Sequence, residues 1–171
     1  MGKVDRAVVA RGPYGVVECA VRSDGTSPAA KLLEDLRKSG PAHGNAGTPR
    51  DQWGIDDYNA FMALIAELVE GEQVPPIPQQ LNHLVDGIWE LKRSKMRISF
   101  YDTDGQGSPV TGEPPKSWNW SGQSCAEFPE NFGEIIRLGH VFVKKGDKTE
   151  KEDLELAKTV RKEDLSHDTR A

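Results

Sequence analysis

Cysteine is scarce in this chain, and so are aromatic residues and long apolar runs. Its two cysteines, Cys19 and Cys125, lie far apart with no CxxC pair and no histidine-rich spacing nearby. Neither a disulfide framework nor a zinc site is indicated, and no other metal or cofactor motif is present. Both cysteines are expected to be free thiols, Cys19 as a small buried residue in a strand. No segment approaches the roughly 18 apolar residues of a membrane helix, and the start of the chain has no apolar signal-peptide core. A cytoplasmic protein without a membrane partner is the expectation. An excess of positive charge is missing too, since 22 Lys and Arg stand against 27 Asp and Glu, for a formal charge of -5. That balance argues against general coating of nucleic acid but does not bear on a local basic patch.

What is present suits one globular domain. The 171 residues, 36% hydrophobic and 29% charged, are enough to bury a proper core as a single unit spanning 1-171. After an apolar stretch in residues 1-12, whose folding is left open, a Gly-Pro break precedes a strand from Tyr14 to Val21. In "SPAAKLLEDLRKSG", Ser27 is placed to cap a helix, Pro28 occupies its first position and Gly40 lies just past its end. A second helix is expected from about Asp57 to Glu70, because Phe61, Leu64, Ile65 and Leu68 form one stripe and Gly71 stops it. Residues 41-52 read as a loop, and "VPPIPQQ" as a stiff connector. Residues 103-133 read as a long irregular insertion. Next, "EIIRLGHVFVKK" is apolar on both faces, as a central strand would be. Thr149 and Glu152 make a capping box for a last helix reaching about Leu165. The order β-α-α-β-β-β-α describes an α+β domain. Its mostly antiparallel sheet would carry a helical hairpin on one face and leave some or all of the other free.

The segment "IWELKRSKMRISFY" carries the charge that matters, since four of the six residues from Lys92 to Arg97 are cationic. With Ser94 and Lys95 as the turn, Leu91 meets Ile98, Trp89 meets Phe100 and Lys92 meets Arg97. Apolar and cationic faces then separate, and a shift of one residue would mix them. Opposed like charges cost roughly 0.2–1 kcal/mol. Either Glu90 and nearby acids neutralise them on a solvated face, or the face binds an anion. Lys144, Lys145, Lys148 and Lys151, arriving at the end of the next strand, favour the anion. His140 is the only histidine inside an expected strand; it is either an acid/base group or a core histidine on the face of Leu138 and Phe142.

"HLVDGIWELKRSKMRISFY" and "IIRLGHVFVKKGDKTEKEDLELAKTVRKEDL" resemble segments of RelE-superfamily toxins, in the HigB-like branch with phage-derived members. The resemblance covers about residues 14-40, 57-102 and 134-165, and agrees with the RelE-like element order, the large insertion falling between the third and fourth strands. It implies the toxin of a type II toxin-antitoxin pair, an endoribonuclease (mRNA interferase) that cuts mRNA, often on the translating ribosome. Its partner would be an antitoxin, expected to be a helix-turn-helix protein, with an acidic segment covering the basic face. Carried over by motif, Lys92 and Arg97 stand at the family's strand cations, Lys144, Lys145 and Lys148 at its closing lysines, and Phe142 at its aromatic.

The chemistry requires 2′-hydroxyl attack on the adjacent phosphate and asks the protein to stabilise negative charge and move two protons, without metal. Arg97 is expected to hold the scissile group, with Lys92 and Lys145 adding field and His140 available for proton transfer. A lysine crowded by cations has its pKa lowered and suits proton donation. Arg93, Lys95, Lys144 and Lys148 are candidate RNA contacts. Trp118 and Trp120 in the insertion either stack bases or pin the loop. His167 is either a residue acting at the cleavage site or part of a disordered tail. The competing expectation is a catalytically inactive phage or prophage protein that keeps the fold and binds a protein partner.

Overall fold

The computed structural model describes residues 3–39, 54–70, 80–118, 124–126 and 132–170. Strands β1 (Val8–Gly12) and β2 (Gly15–Cys19) are followed by helices α1 (Pro28–Lys38) and α2 (Ile55–Glu70). Then come β3 (Leu81–Val85), β4 (Ile88–Arg93), β5 (Met96–Thr103), β6 (Lys116–Trp118), β7 (Ser124–Ala126), β8 (Ile135–Val143) and α3 (Lys151–Asp168). The main sheet runs β1-β2-β8-β5-β4-β3, and only the β2–β8 pair is parallel. The elements of the expected β-α-α-β-β-β-α order are β2, α1, α2, β4, β5, β8 and α3, with β1 and β3 added at the two edges and β6 and β7 as a separate pair between β5 and β8.

Those two edge strands go beyond the sequence reading, which left residues 1-12 open. Residues 8–12 pair with β2 across the Pro13-Tyr14 turn, so the N-terminal stretch is part of the fold. The strand before Asp86-Gly87 is real as well: both turn residues take positive φ, 54° and 76°, the geometry that the right-handed twist of a two-residue hairpin favours. Residues 41–52 and most of the proline connector lie outside the described residues.

The β4–β5 hairpin pairs as the apolar pattern requires: Trp89 with Phe100, Leu91 with Ile98 and Lys92 with Arg97. Its apolar face joins Leu33, Phe61, Ile65, Leu68 and Leu138 in the main core, under α1 and α2. Burying such side chains contributes about 1.5–3 kcal/mol each, which fixes the register.

The opposite face is not left open, because α3 packs along β8. This helix buries little apolar surface, chiefly Ala157, Val160 and Leu165. A buried ionic cluster helps hold it. Asp164, 0% exposed, accepts hydrogen bonds from Arg6 Nε (2.8 Å), Val21 N (2.9 Å), Tyr101 Oη (2.6 Å) and Arg137 Nη1 (2.8 Å). Arg137 also pairs with Asp168 and Glu18, and Arg6 with Asp168. The cluster ties the N-terminal segment, three strands and α3 into one body.

Two further expectations change. Helix α3 is capped one residue later than the Thr149–Glu152 box implied: Glu150 is the N-cap, with no side-chain capping bond, and the helix runs on to Asp168. The insertion is not structureless, since β6 and β7 pair within it and Thr103 bridges to Pro109. Asp102 holds it at two points, accepting bonds from Thr111 N (2.8 Å) and, at its far end, Gly133 N (2.7 Å).

Candidate functional site

The face carrying Lys92 and Arg97 is the one on which α3 lies, since Tyr101 on that side of β5 packs with Val160 and Leu165. Cross-strand pairing lines up Lys92 on β4, Arg97 on β5 and Phe142 on β8. The next row brings Glu90, Ser99 and the Gly139-His140 pair together. Neighbouring strands are about 4.8 Å apart, so each row is a compact strip of side chains.

A β-bulge puts His140 in that row. Ile98 pairs with Val141 but Phe100 with Leu138, so Ser99 faces two residues of β8. Alternation predicts Leu138, His140 and Phe142 on a common face; the extra residue leaves Leu138 in the main core and turns His140 and Phe142 to the other side. Ser99 Oγ accepts the His140 backbone N–H at 2.8 Å and fixes the bulge. A Cβ on Gly139 would stand 2.9 Å from that hydroxyl oxygen, so the close approach there favours glycine. The His140 ring stacks on Phe142 with centroids 5.4 Å apart, and its Nε2 lies 3.0 Å from Asp153 Oδ1 in the first turn of α3. It is thus a half-buried, paired histidine rather than one enclosed by the apolar core.

Arg97 is more enclosed than a phosphate clamp needs to be. Its side chain is 9% exposed, and Nη1 donates to the carbonyls of Ser94 (2.6 Å) and Met96 (3.0 Å). Nε stands 3.6 Å from Glu90 Oε2, and neither of these two atoms has a hydrogen-bond partner among the described residues. Burial lowers the Arg97 pKa, and the Glu90 charge opposes that shift. Nη2 donates no hydrogen bond among the described residues, so it and the buried Nε are the donors Arg97 has left to offer. Glu90 neutralises part of the cationic face, and Asn82 Nδ2 donates to its other oxygen at 3.3 Å.

Lys92 is half-buried, and its pKa is lowered first by burial and then by the Arg97 and Lys144 charges, against the pull of Glu90. The expected direction holds, with desolvation rather than crowding as its larger cause. Lys144 continues the strand edge by donating its backbone N–H to the Lys95 carbonyl at 2.7 Å. Lys95, Lys145 and Lys148 are exposed. Lys145 lines an open groove of about 490 Å³ together with Phe142, Val143, Glu150, Glu152 and Asp153. The surroundings of the strip therefore mix both signs of charge.

The structure separates other candidates from this strip. Arg93 alternates to the opposite face and binds Asp57 Oδ1 on α2 at 3.0 Å, where it anchors a helix start. His167 is not in a loose tail: it lies in the last turn of α3, with Nε2 3.1 Å from the Arg22 carbonyl oxygen. Its separation from Asp153 along the helix is about 20 Å at 1.5 Å per residue. Trp118 has its backbone in β6, but its side chain, and all of Trp120, lie outside the described residues. Asp153 and Ser99 escaped the sequence reading because each meets His140 through a long-range contact with no local motif. Among the described residues no group of three or more His, Cys, Asp or Glu is placed to hold a metal ion, and no helix is long and apolar enough to cross a membrane.

No protein-family model, curated protein or solved structure matches this chain.

Proposed function

We propose that this chain is a metal-independent endoribonuclease of the RelE/HigB kind, the toxin of a type II toxin-antitoxin pair, cutting mRNA in the cytoplasm and held inactive by its antitoxin. The observation that carries the reading is the strip itself: Lys92 and Arg97 in register on one face, Lys144 close by, and His140 in the adjoining row. Like charges placed side by side weaken a hairpin, and binding a phosphodiester offsets that cost.

In the reaction, His140 takes the proton of the RNA 2′-hydroxyl as its oxygen forms a bond to phosphorus. The P–O5′ bond breaks, and the Lys92 ammonium gives a proton to the departing oxygen. A cyclic phosphate and a 5′-hydroxyl result, and water returns the proton from imidazolium to the lysine amine. Lys92, Lys145 and the open Nη2 of Arg97 stabilise the added negative charge before and during transfer. Lys95, Lys144 and Lys148 extend the cationic surface along the RNA.

A second reading draws on the enclosure of Arg97 by Glu90 and two carbonyls, which suits a non-catalytic member of the fold that binds an acidic protein segment. Inducible expression in bacteria separates the two. Growth arrest with mRNA cleavage, lost in Lys92→Ala and His140→Ala, is the expected result. Unimpaired growth with folded wild-type protein present would exclude the nuclease and leave the binding module.

A further inference from the structure

Sequence reading gave His140 a task but no partner to orient it. A lone imidazole on a strand can hold its proton on either ring nitrogen and can rotate about two bonds, so a proton-transfer role requires something to fix it. Asp153 meets this need from a different element: its Oδ1 is 3.0 Å from His140 Nε2. The contact is largely sheltered, with 14% of the histidine side chain and 20% of the aspartate side chain exposed. Ring rotation is limited by the nearly parallel stack on Phe142, with 13° between the planes. The backbone behind the ring is held by Ser99. Asp153 sits at the position where a first-turn carboxylate commonly reaches back to cap its own helix, yet here it reaches the sheet instead.

We propose that Asp153 is a positioning residue that selects the Nε2–H tautomer of His140 and leaves Nδ1 as the basic nitrogen that accepts the 2′-hydroxyl proton. This rests on the nuclease reading above. An ionised carboxylate can only accept, so the short contact requires the proton on Nε2. The pair resembles an acid/base dyad in which the second member never gains a proton; it holds the ring and stabilises the imidazolium that forms.

The test uses the full chain and the variants Asp153→Ala and Asp153→Asn. The asparagine amide can turn its NH₂ toward the ring and hold Nε2 as an acceptor, whereas alanine offers neither donor nor acceptor. Nitrogen-15 chemical shifts of the His140 ring at mildly alkaline pH report the tautomer. Cleavage of a defined mRNA in a purified translating system gives kcat and KM. Expected are an Nε2–H ring in the wild type, an Nδ1–H ring in Asp153→Asn, and a mixture in Asp153→Ala. With it goes a kcat loss of roughly tenfold or more in the alanine variant, within the ~10²–10⁴ that acid–base catalysis supplies. KM should stay within about twofold, because the aspartate does not touch substrate. Since both variants lose the first-turn charge, a ring that stays Nε2–H in both would mean that Asp153 serves only the helix end, and would overturn the proposal. So would an Nδ1–H ring in the wild type. A wild type that cuts no RNA would overturn the nuclease reading and the catalytic role with it, and the ring nitrogens would then show whether the His140–Asp153 pairing itself is held.

Discussion

Replacing Asp164 by alanine tests whether α3 is held by charge rather than by apolar contact. The carboxylate is fully buried and accepts from two guanidinium groups, a tyrosine hydroxyl and a backbone N–H. Its removal leaves Arg137 facing only Asp168 and Glu18, and strands the Tyr101 hydroxyl and the Val21 N–H beneath the helix. Breaking a buried pair from one side costs about 3–5 kcal/mol, and total stability for a domain of this kind is about 5–15 kcal/mol. With a urea slope of about 2 kcal/mol per molar, the midpoint should fall by roughly 2 M. Asp164→Asn, which keeps the volume, should lose much of the same stability, because its NH₂ presents a donor to groups that already donate.

The pH dependence provides a second check on the same residue. Burial raises the Asp164 pKa, but the Tyr101 hydrogen bond, the Arg137 charge and the Val21 and Arg6 bonds outweigh it, so the net shift is downward. A folded value below the unfolded ~3.9 means that the contribution is fully present above about pH 4–5 and is lost as pH falls through the folded value. Wild-type stability should therefore drop more steeply below pH 4 than that of Asp164→Ala. A urea midpoint within about 0.5 M of wild type, with unchanged slope and the same acid profile, would refute the idea that this cluster holds the helix.

Ser94→Gly should raise stability by about 0.5–1 kcal/mol in the same assay, since Ser94 is held at φ 54°, a conformation glycine adopts without a Cβ clash; a loss of stability would show that the serine side chain contributes more than the turn costs. Asp102→Ala should expose the insertion to limited proteolysis between its anchors at Thr111 and Gly133, with cleavage at least several-fold faster than wild type; an unchanged rate would mean that the loop is held by other contacts.

Much of the fold could be read locally. The Trp89–Phe100 and Leu91–Ile98 pairs follow from period-two alternation around a two-residue turn, and α1 from Pro28 and its leucines. The edge strand β3 was equally legible, because Asp86-Gly87 between apolar runs is a strong hairpin signal, although no element was expected over residues 81-87. The α3 anchor was not legible: Arg6 and Asp164 are 158 residues apart, and nothing in either neighbourhood marks the other as a partner. At the site, Lys92, Arg97 and His140 were named from charge and spacing. The enclosure of Arg97 and the partner of His140 depend on Glu90 and Asp153, whose orientations only the folded chain decides.

The bulge at Gly139-His140 also sets what the last strand can tolerate in length. It acts as a phase shift in β8, so that residues before it and after it obey opposite inside-outside rules. Deleting Gly139 would restore strict alternation with His140 opposite Ser99, so every residue from His140 onward would keep its side and its partner. The half before the bulge would go on serving the core unchanged. The one extra residue is therefore what lets a single strand give Leu138 and Val141 to the hydrophobic layer and His140 and Phe142 to the strip beside α3.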